Sequence, residues 1–442
     1  MRSPLSSAAL RLVLVVLSLW LGTVSARAFT VQEVTSPGGI KAWLVEEHSI
    51  PLMALNFSFR SGATSDPQGR AGLANFLSGM LDEGAEDIDS ATFQKRRDEL
   101  AFRMSFDAGR DFFEGAFQTL TRNRDPSVEL LRKAITAPRF DAAPLDRVRQ
   151  QILVGLQAKA DDPQRIASTA WMALALGDDP YAADTDGTAA TVAAITAEDL
   201  QAAHARIFDR GTLQVSAVGD ISAAELGPML DRIFGGLARG DPQPGRPIIA
   251  GFTTRPGLKV VPRDIPQSVI VFGHEGPLRD DPAFIPAFVM SEILGGSFEA
   301  WLTREIREKR GLTYGVSAGL SPLRRLGLFV GSLSTRNEKA AEAFDLVKST
   351  MRRMVEEGPS QKELDDAKTF LTGSYALRFT SSMAIAGQLL GLQQQGLAHD
   401  YIARRNDLIA AVTLDQVQAE AKRLLHPDRL TVTVVGRPEG LQ

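Results

Sequence analysis

The chain contains no cysteine. This removes disulfides, thiolate zinc sites, iron–sulfur clusters and cysteine nucleophiles, and it makes an oxidising compartment safe for the chain. Histidine is scarce too: His48, His204, His274, His399 and His426 are all there is. None has a second histidine three or four positions on, and His274-Glu275 lacks the second half of H-E-x-x-H. They read as surface or loop residues. There is no long basic run, so nucleic acid is a poor candidate partner. No Walker A string occurs. Asp184-Thr185-Asp186-Gly187 lacks the remaining ligands of a calcium loop and reads as a polar turn. Beyond the N-terminus no stretch is long and apolar enough to span a bilayer, so no stable membrane anchor is expected.

What is present suffices for two or more packed domains: 442 residues, 44% of them hydrophobic, with a net charge of −4. Arg2 and Arg11 precede an apolar run over residues 12–21, and Val24-Ser25-Ala26-Arg27-Ala28 follows. That is a charged region, an apolar region and an Ala-x-Ala site, so residues 1–28 read as a cleaved signal peptide. The apolar run is short for a span of about 20 residues. With no cysteine after it, a lipoprotein is excluded. Loss of residues 1–28, which carry three arginines and no acid, would take the net charge from −4 to −7. A periplasmic location is expected.

The chain repeats itself. At an offset of 217 positions, Thr196, Gln201, Ala202, Arg206, Leu213, Val215, Val218 and Gly219 each meet the same residue type again. Both copies read as a Thr-capped amphipathic helix followed by a short apolar strand ending in Gly. A period this long is one duplicated domain, not a solenoid unit. Gly240-Asp241-Pro242-Gln243-Pro244-Gly245-Arg246-Pro247 reads as a linker, dividing the chain into halves 29–239 and 248–442. Each half opens with alternating strands, 40–46 and 52–61 in the first, 258–262 and 268–273 in the second. Helices follow, 90–100 and 163–176 among them, with strands 103–108, 112–119, 313–320 and 327–333 returning between them. The pattern predicts α+β architecture, two homologous halves each with a largely antiparallel sheet packed with helices.

The segment 69–81 has helical patterning. It places Asn75, Ser78 and Gly79 at i, i+3 and i+4 on one face. With His, Glu and His there, the face would be an H-x-x-E-H zinc site. An amide, a hydroxyl and a hydrogen atom hold no zinc. Further on, 297–309 reads as an amphipathic helix. Ser297 is its N-cap, Phe298, Trp301, Leu302 and Ile306 lie on its inner stripe, and Gly311 stands near its C-cap. Arg310 leaves its end and Tyr314 begins the next strand. Gly315-Val316-Ser317-Ala318-Gly319 matches G-x-S-x-G but alternates like a strand, whereas a nucleophile elbow needs strand, turn and helix.

These features resemble the insulinase/pitrilysin-type (M16) metallopeptidases: the degenerate segment with its upstream Arg60-Ser61-Gly62-Ala63, the duplication, and above all the string from Arg304-Glu305-Ile306-Arg307-Glu308-Lys309-Arg310-Gly311-Leu312 to Tyr314. The resemblance covers residues 35–437 and implies two halves closing like a clamshell over a peptide. It implies that Arg310 and Tyr314 hold the substrate backbone. It also places a distal glutamate ligand near Val154 and Gly155, neither of which can ligate. The whole metal site is therefore missing, at Asn75, Ser78, Gly79 and this distal position. The resemblance implies a non-catalytic, substrate-positioning subunit that binds no cofactor itself. Its expected partner is a homologous chain with H-x-x-E-H carrying zinc, and peptide would bind by adding to a sheet edge. Two alternatives remain: a non-enzymatic peptide-binding or scaffold protein, and a peptidase active alone through an unrecognised site.

Overall fold

The computed structural model describes residues 30–240 and 253–441. The expected signal peptide and all of the expected linker except Gly240 lie outside the described residues. In chain order the principal elements of the first half are β1 (Gln32–Thr35), β2 (Lys41–Glu46), β3 (Leu52–Phe59), α1 (Leu73–Ser78), α2 (Ser90–Leu100), β4 (Arg103–Ala108), β5 (Phe113–Leu120), α3 (Arg124–Thr136), α4 (Ala142–Lys159), α5 (Pro163–Leu176), α6 (Ala197–Ile207), β6 (Gln214–Gly219) and α7 (Ala223–Phe234). Those of the second are β7 (Gly257–Pro262), β8 (Gln267–Gly276), α8 (Phe284–Ser291), β9 (Thr313–Pro322), β10 (Gly327–Arg336), α9 (Ala340–Glu356), α10 (Gln361–Gly373), α11 (Ser382–Gln394), α12 (Tyr401–Ala410), α13 (Leu414–Leu424) and β11 (Thr431–Gly436).

The first sheet runs β1-β2-β6-β3-β5-β4 and the second β7-β11-β8-β10-β9. Without β1, the two orders correspond strand for strand. Each has one parallel pair, β2 with β6 and β7 with β11, and is otherwise antiparallel. The fold is α+β and two-lobed, as the duplication predicts. Thr196 and Thr413 both close capping boxes, accepting from the backbone N–H of Asp199 and Gln416. Each cap starts the helix that delivers its half's central parallel strand.

The central strands are buried on both faces, and the two-residue period of a strand sorts their side chains. Ala42, Leu44, Leu55 and Phe57 enter the core of the first half, beneath its own helices. Val45, Ala54 and Val218 face the other way, onto Ala386 and Leu389 of α11. The second half mirrors this. Ile270, Phe272 and Val434 point into its own core. Val269, Val271 and Val435 meet Ala167, Trp171 and Ala175 of α5. Each half thus lends a helix to the other's sheet.

Candidate functional site

α1 is shorter than the helix expected over 69–81. Gly69 and Gly72 take left-handed φ values of 78° and 89°, so the chain cannot enter the helix before Leu73. Gly72 offers no capping side chain. Instead the Asp66 carboxylate accepts from the N–H groups of Gly72, Leu73 and Ala74 at 3.0, 3.0 and 3.1 Å. Leu73, Ala74, Phe76 and Leu77 are buried, which anchors one face and fixes the other. On that other face Asn75, Ser78 and Gly79 line a cavity of about 330 Å³ with Gln151, Gly155 and Lys159. The structure therefore gathers the degenerate positions and Gly155 around one space. Val154, 67% exposed, is not among its lining residues.

The donors in this cavity do not fit zinc, which takes three protein ligands in a catalytic site and four in a structural one. The Ser78 hydroxyl is spent on the Asn75 carbonyl, 2.7 Å away. The one acid, Asp186, is paired with Lys159 at 2.9 Å and with Arg165 at 2.9 Å. Burial alone would raise its pKa, but those two cations hold it below the ordinary aspartate value. Lys159 thus puts a positive charge where a cation would need negative ones. A β-carbon on Gly79 would stand 3.1 Å from Val148 Cγ1, so the wall has also closed slightly on this position. Among the described residues no cluster of three metal-ligating side chains occurs.

The segment before Arg310 departs from the expected helix over 297–309. Ser297 is extended and caps nothing; residues 292–296 and 303–308 are π-helical. Trp301, Leu302 and Ile306 are buried as expected, but Phe298 is 69% exposed and lies under the Arg307 guanidinium at 4.5 Å. The turn geometry brings Glu305 inward. Its carboxylate receives Lys309 at 2.7 Å, Arg310 at 2.8 Å and Arg353 at 3.1 Å. Burial would raise the Glu305 pKa, yet the three cations hold it at about 2. Arg310 also donates to the Glu305 carbonyl at 2.8 Å, so its guanidinium is tied at two points. Gly311 has φ 62° and turns the chain into β9.

Tyr314 is 88% exposed. The register with β10 slips by one residue between Thr313 and Val316, making a bulge at Tyr314 and Gly315. Bulges re-aim side chains at sheet edges, and β9 is an edge strand. The Thr313 hydroxyl, within 2.7 Å of the Gly315 and Ser334 carbonyls, pins this one. Arg310 and Tyr314 do not line the cavity beside α1.

Gly315–Gly319 lies within β9, paired along β10, so there is no elbow and Ser317 is not a nucleophile of that kind. The reading of all histidines as surface or loop residues needs correction. His274 is fully buried in β8, stacked on Phe329, and burial pushes its pKa down to about 4. His204 stacks on Phe208 and bonds the Ile135 carbonyl at 2.9 Å. Both strand and helix place a ring inward there, and each finds a backbone carbonyl partner.

Residues 194–371 match the family model described as the peptidase M16 inactive domain. The chain is 26% identical over 368 residues to the non-peptidase homolog YmxG of Helicobacter pylori, covering 83% of this chain and 84% of that one. It is 23% identical to the uncharacterized zinc protease SCO5738 of Streptomyces coelicolor, covering 92% and 90%. The crystal structure of a peptidase M16 inactive domain from Pseudomonas fluorescens superposes with a TM-score of 0.87 at 29% identity, covering 93% of this chain and 99% of that one. The family match spans Arg310 and Tyr314 but neither Asn75–Gly79 nor Gly155. The absence of metal donors rests on the side chains around α1 themselves. Fold, duplication and matched segment agree: over residues 194–371 the chain is similar to the peptidase M16 inactive domain, and its fold superposes on a solved structure of that description.

Proposed function

We propose that the chain is the substrate-positioning subunit of an exported two-chain zinc peptidase. A partner of similar size with H-x-x-E-H supplies the metal; this chain supplies Arg310 and Tyr314. The observation carrying the reading is a contrast of care. The metal face of α1 has no usable donor, while Arg310 is fixed by two bonds to Glu305 and Tyr314 stands exposed on a pinned bulge. A guanidinium fork and a phenol hydroxyl are donors suited to a peptide carbonyl, and to the oxyanion that forms from it opposite a metal. Edge strand β9 offers unpaired backbone groups to an extended peptide, a mode that reads backbone more than side chains.

The test is a tagged pull-down of the mature chain from its own periplasm, followed by peptide hydrolysis by the recovered pair. A stoichiometric partner carrying H-x-x-E-H is expected. Each of Arg310→Ala and Tyr314→Phe should lower turnover by about 10²–10³, the loss typical of one oxyanion donor, without dissociating the pair. Unchanged turnover in the double variant sinks the proposal. The second reading, a peptide-binding protein without proteolysis, is favoured by the emptied α1 face alone and gains ground if the chain comes down as a homodimer.

A further inference from the structure

Away from α1 and from Arg310, a cavity of about 680 Å³ opens where the two halves meet. Four arginines line it, and the duplication places them. Arg60 follows β3 and Arg279 follows β8, the corresponding middle strands. Arg110 sits in the β4–β5 turn and Arg324 in the β9–β10 turn, the corresponding edge hairpins. Each half thus contributes one cation from its middle strand and one from its edge hairpin.

Of the three acids in the same wall, Asp280 is exposed to solvent at the rim and the other two are already engaged. Asp111 accepts the Tyr181 hydroxyl and the backbone N–H of Arg324, the latter at 3.0 Å. Glu114 accepts Gln394 Nε2 at 2.8 Å. The arginines are less fully served. The guanidinium groups of Arg60 and Arg110 make no hydrogen bond or ion pair among the described residues. Arg324 Nε is buried without a hydrogen-bond partner, 3.9 Å from Asp111 Oδ1. Burial pushes the Arg110 pKa down, with the Asp184 and Asp111 charges acting against it. A guanidinium removed from water without hydrogen bonds is costly, and a carboxylate oxygen supplies what it lacks. Arg279 is oriented by Gln395 at 2.8 Å and by the Phe284 ring at 4.3 Å.

We propose that this cavity is a binding site for the carboxylates of a short acidic peptide. Its volume falls in the range of small-ligand sites and is far more than a lone inorganic anion fills. Its wall alternates the arginines with amides and the apolar Phe112, Leu278 and Leu323, which suits a peptide with spaced charges. A ligand bridging arginines of both halves would also tie the lobes together.

The site is tested on the chain alone by calorimetric titration with triglutamate, with neutral triglutamine and with inorganic phosphate. Triglutamate is expected to bind, more weakly as salt is raised, and triglutamine is not. Arg60→Gln and Arg110→Gln should each weaken binding at least about tenfold, the effect of losing one charge-assisted bond. Arg60 is solvent-exposed, so its variant keeps the fold even where the Arg110 variant melts early. Equal binding of triglutamine, undiminished binding by Arg60→Gln, or phosphate binding more tightly than triglutamate would overturn the proposal. None of these outcomes bears on hydrolysis by a reconstituted pair, so the two proposals fail separately.

Discussion

Ser216 of the first sheet donates its hydroxyl to the Ala386 carbonyl of α11, and Thr433 of the second sheet donates to the Ala167 carbonyl of α5, both at 2.8 Å. Residues 216 and 433 are one repeat apart, so the duplication preserved the bond that seats each borrowed helix. The packing around that bond did not stay alike. Under α11 the fully buried side chains are aliphatic and small to medium, Val45, Ala54, Val218, Ala386 and Leu389, with Trp43 and Met383 only partly buried against them. Under α5 they are bulky: Trp171 and Tyr181 against Val269, Val271 and Val435. The site faces diverged further. The helix of the first half carries no metal donors, while the second half holds the buried Glu305 carboxylate among three cations, Lys309, Arg310 and Arg353. A fold can shed a metal site cheaply when the ligands lie on the face turned away from the core, and α1 is such a helix.

The largest effect should come from breaking the bulkier exchange. Trp171 is 1% exposed and its Nε1–H donates to the Thr431 carbonyl at 2.9 Å. Trp171→Ala should cost about 3–5 kcal/mol. It also leaves a buried carbonyl with one bond fewer. Leu389→Ala at the matching interface should cost less, about 2–3 kcal/mol, because a leucine loses fewer buried atoms than a tryptophan and no hydrogen bond. Urea midpoints of the two variants check the ordering. Equal losses would mean that the two exchanged helices carry the same load in spite of their different packing.

Next comes the Glu305 cluster. Its folded pKa of about 2 lies below the ordinary value of 4.5, so its stabilisation is present above about pH 4.5 and is lost as pH falls from there towards 2. Glu305→Gln should destabilise the chain by about 1–3 kcal/mol at neutral pH; Lys309, Arg310 and Arg353 are each more than a third exposed or close to it, which screens the pairing. The variant should also flatten the acid limb of stability against pH below 4.5. Melting temperatures measured down that limb decide it, since a purely steric role for Glu305 would leave the acid limb unaltered.

How much of this was legible differs by element. α2, α5 and β4 have the bounds that their sequence signals predict. Asp162 and Pro163 start α5, and Gly177 follows its end, so local chemistry decides both limits. The duplication and the degenerate face of α1 were legible for the same reason. α1 itself was over-read because its cap, Asp66, lies six residues before Gly72, and because two glycines adopt left-handed φ. The π-helical turns near Glu305 leave no signal in a helical pattern, and Arg353 of α9, which reaches that carboxylate, lies 48 residues further along the chain. The bulge at Tyr314 depends on a partner strand and leaves no signal in a period-two pattern. His274 shows the limit of composition: a histidine inside an apolar strand is read correctly only when the strand is known to be covered on both faces.

The smallest expected effect isolates the emptied site. Gly155 sits within α4 at the position where the resemblance places a distal ligand, and an added β-carbon there meets nothing within 4 Å. Glycine inside a helix costs about 0.5–1 kcal/mol relative to alanine, largely through the freedom of the unfolded chain. Gly155→Ala should therefore stabilise the chain by about that amount, seen as a higher urea midpoint at constant slope. At Gly79 the same change should give no gain, because the new carbon meets Val148 Cγ1 at 3.1 Å. If Gly155→Ala instead destabilised the chain, some other group must approach the α4 backbone at this point in solution. The cavity beside α1 would then have an occupant, and the contrast between a first half without donors and the tethered Arg310 of the second would have to be redrawn.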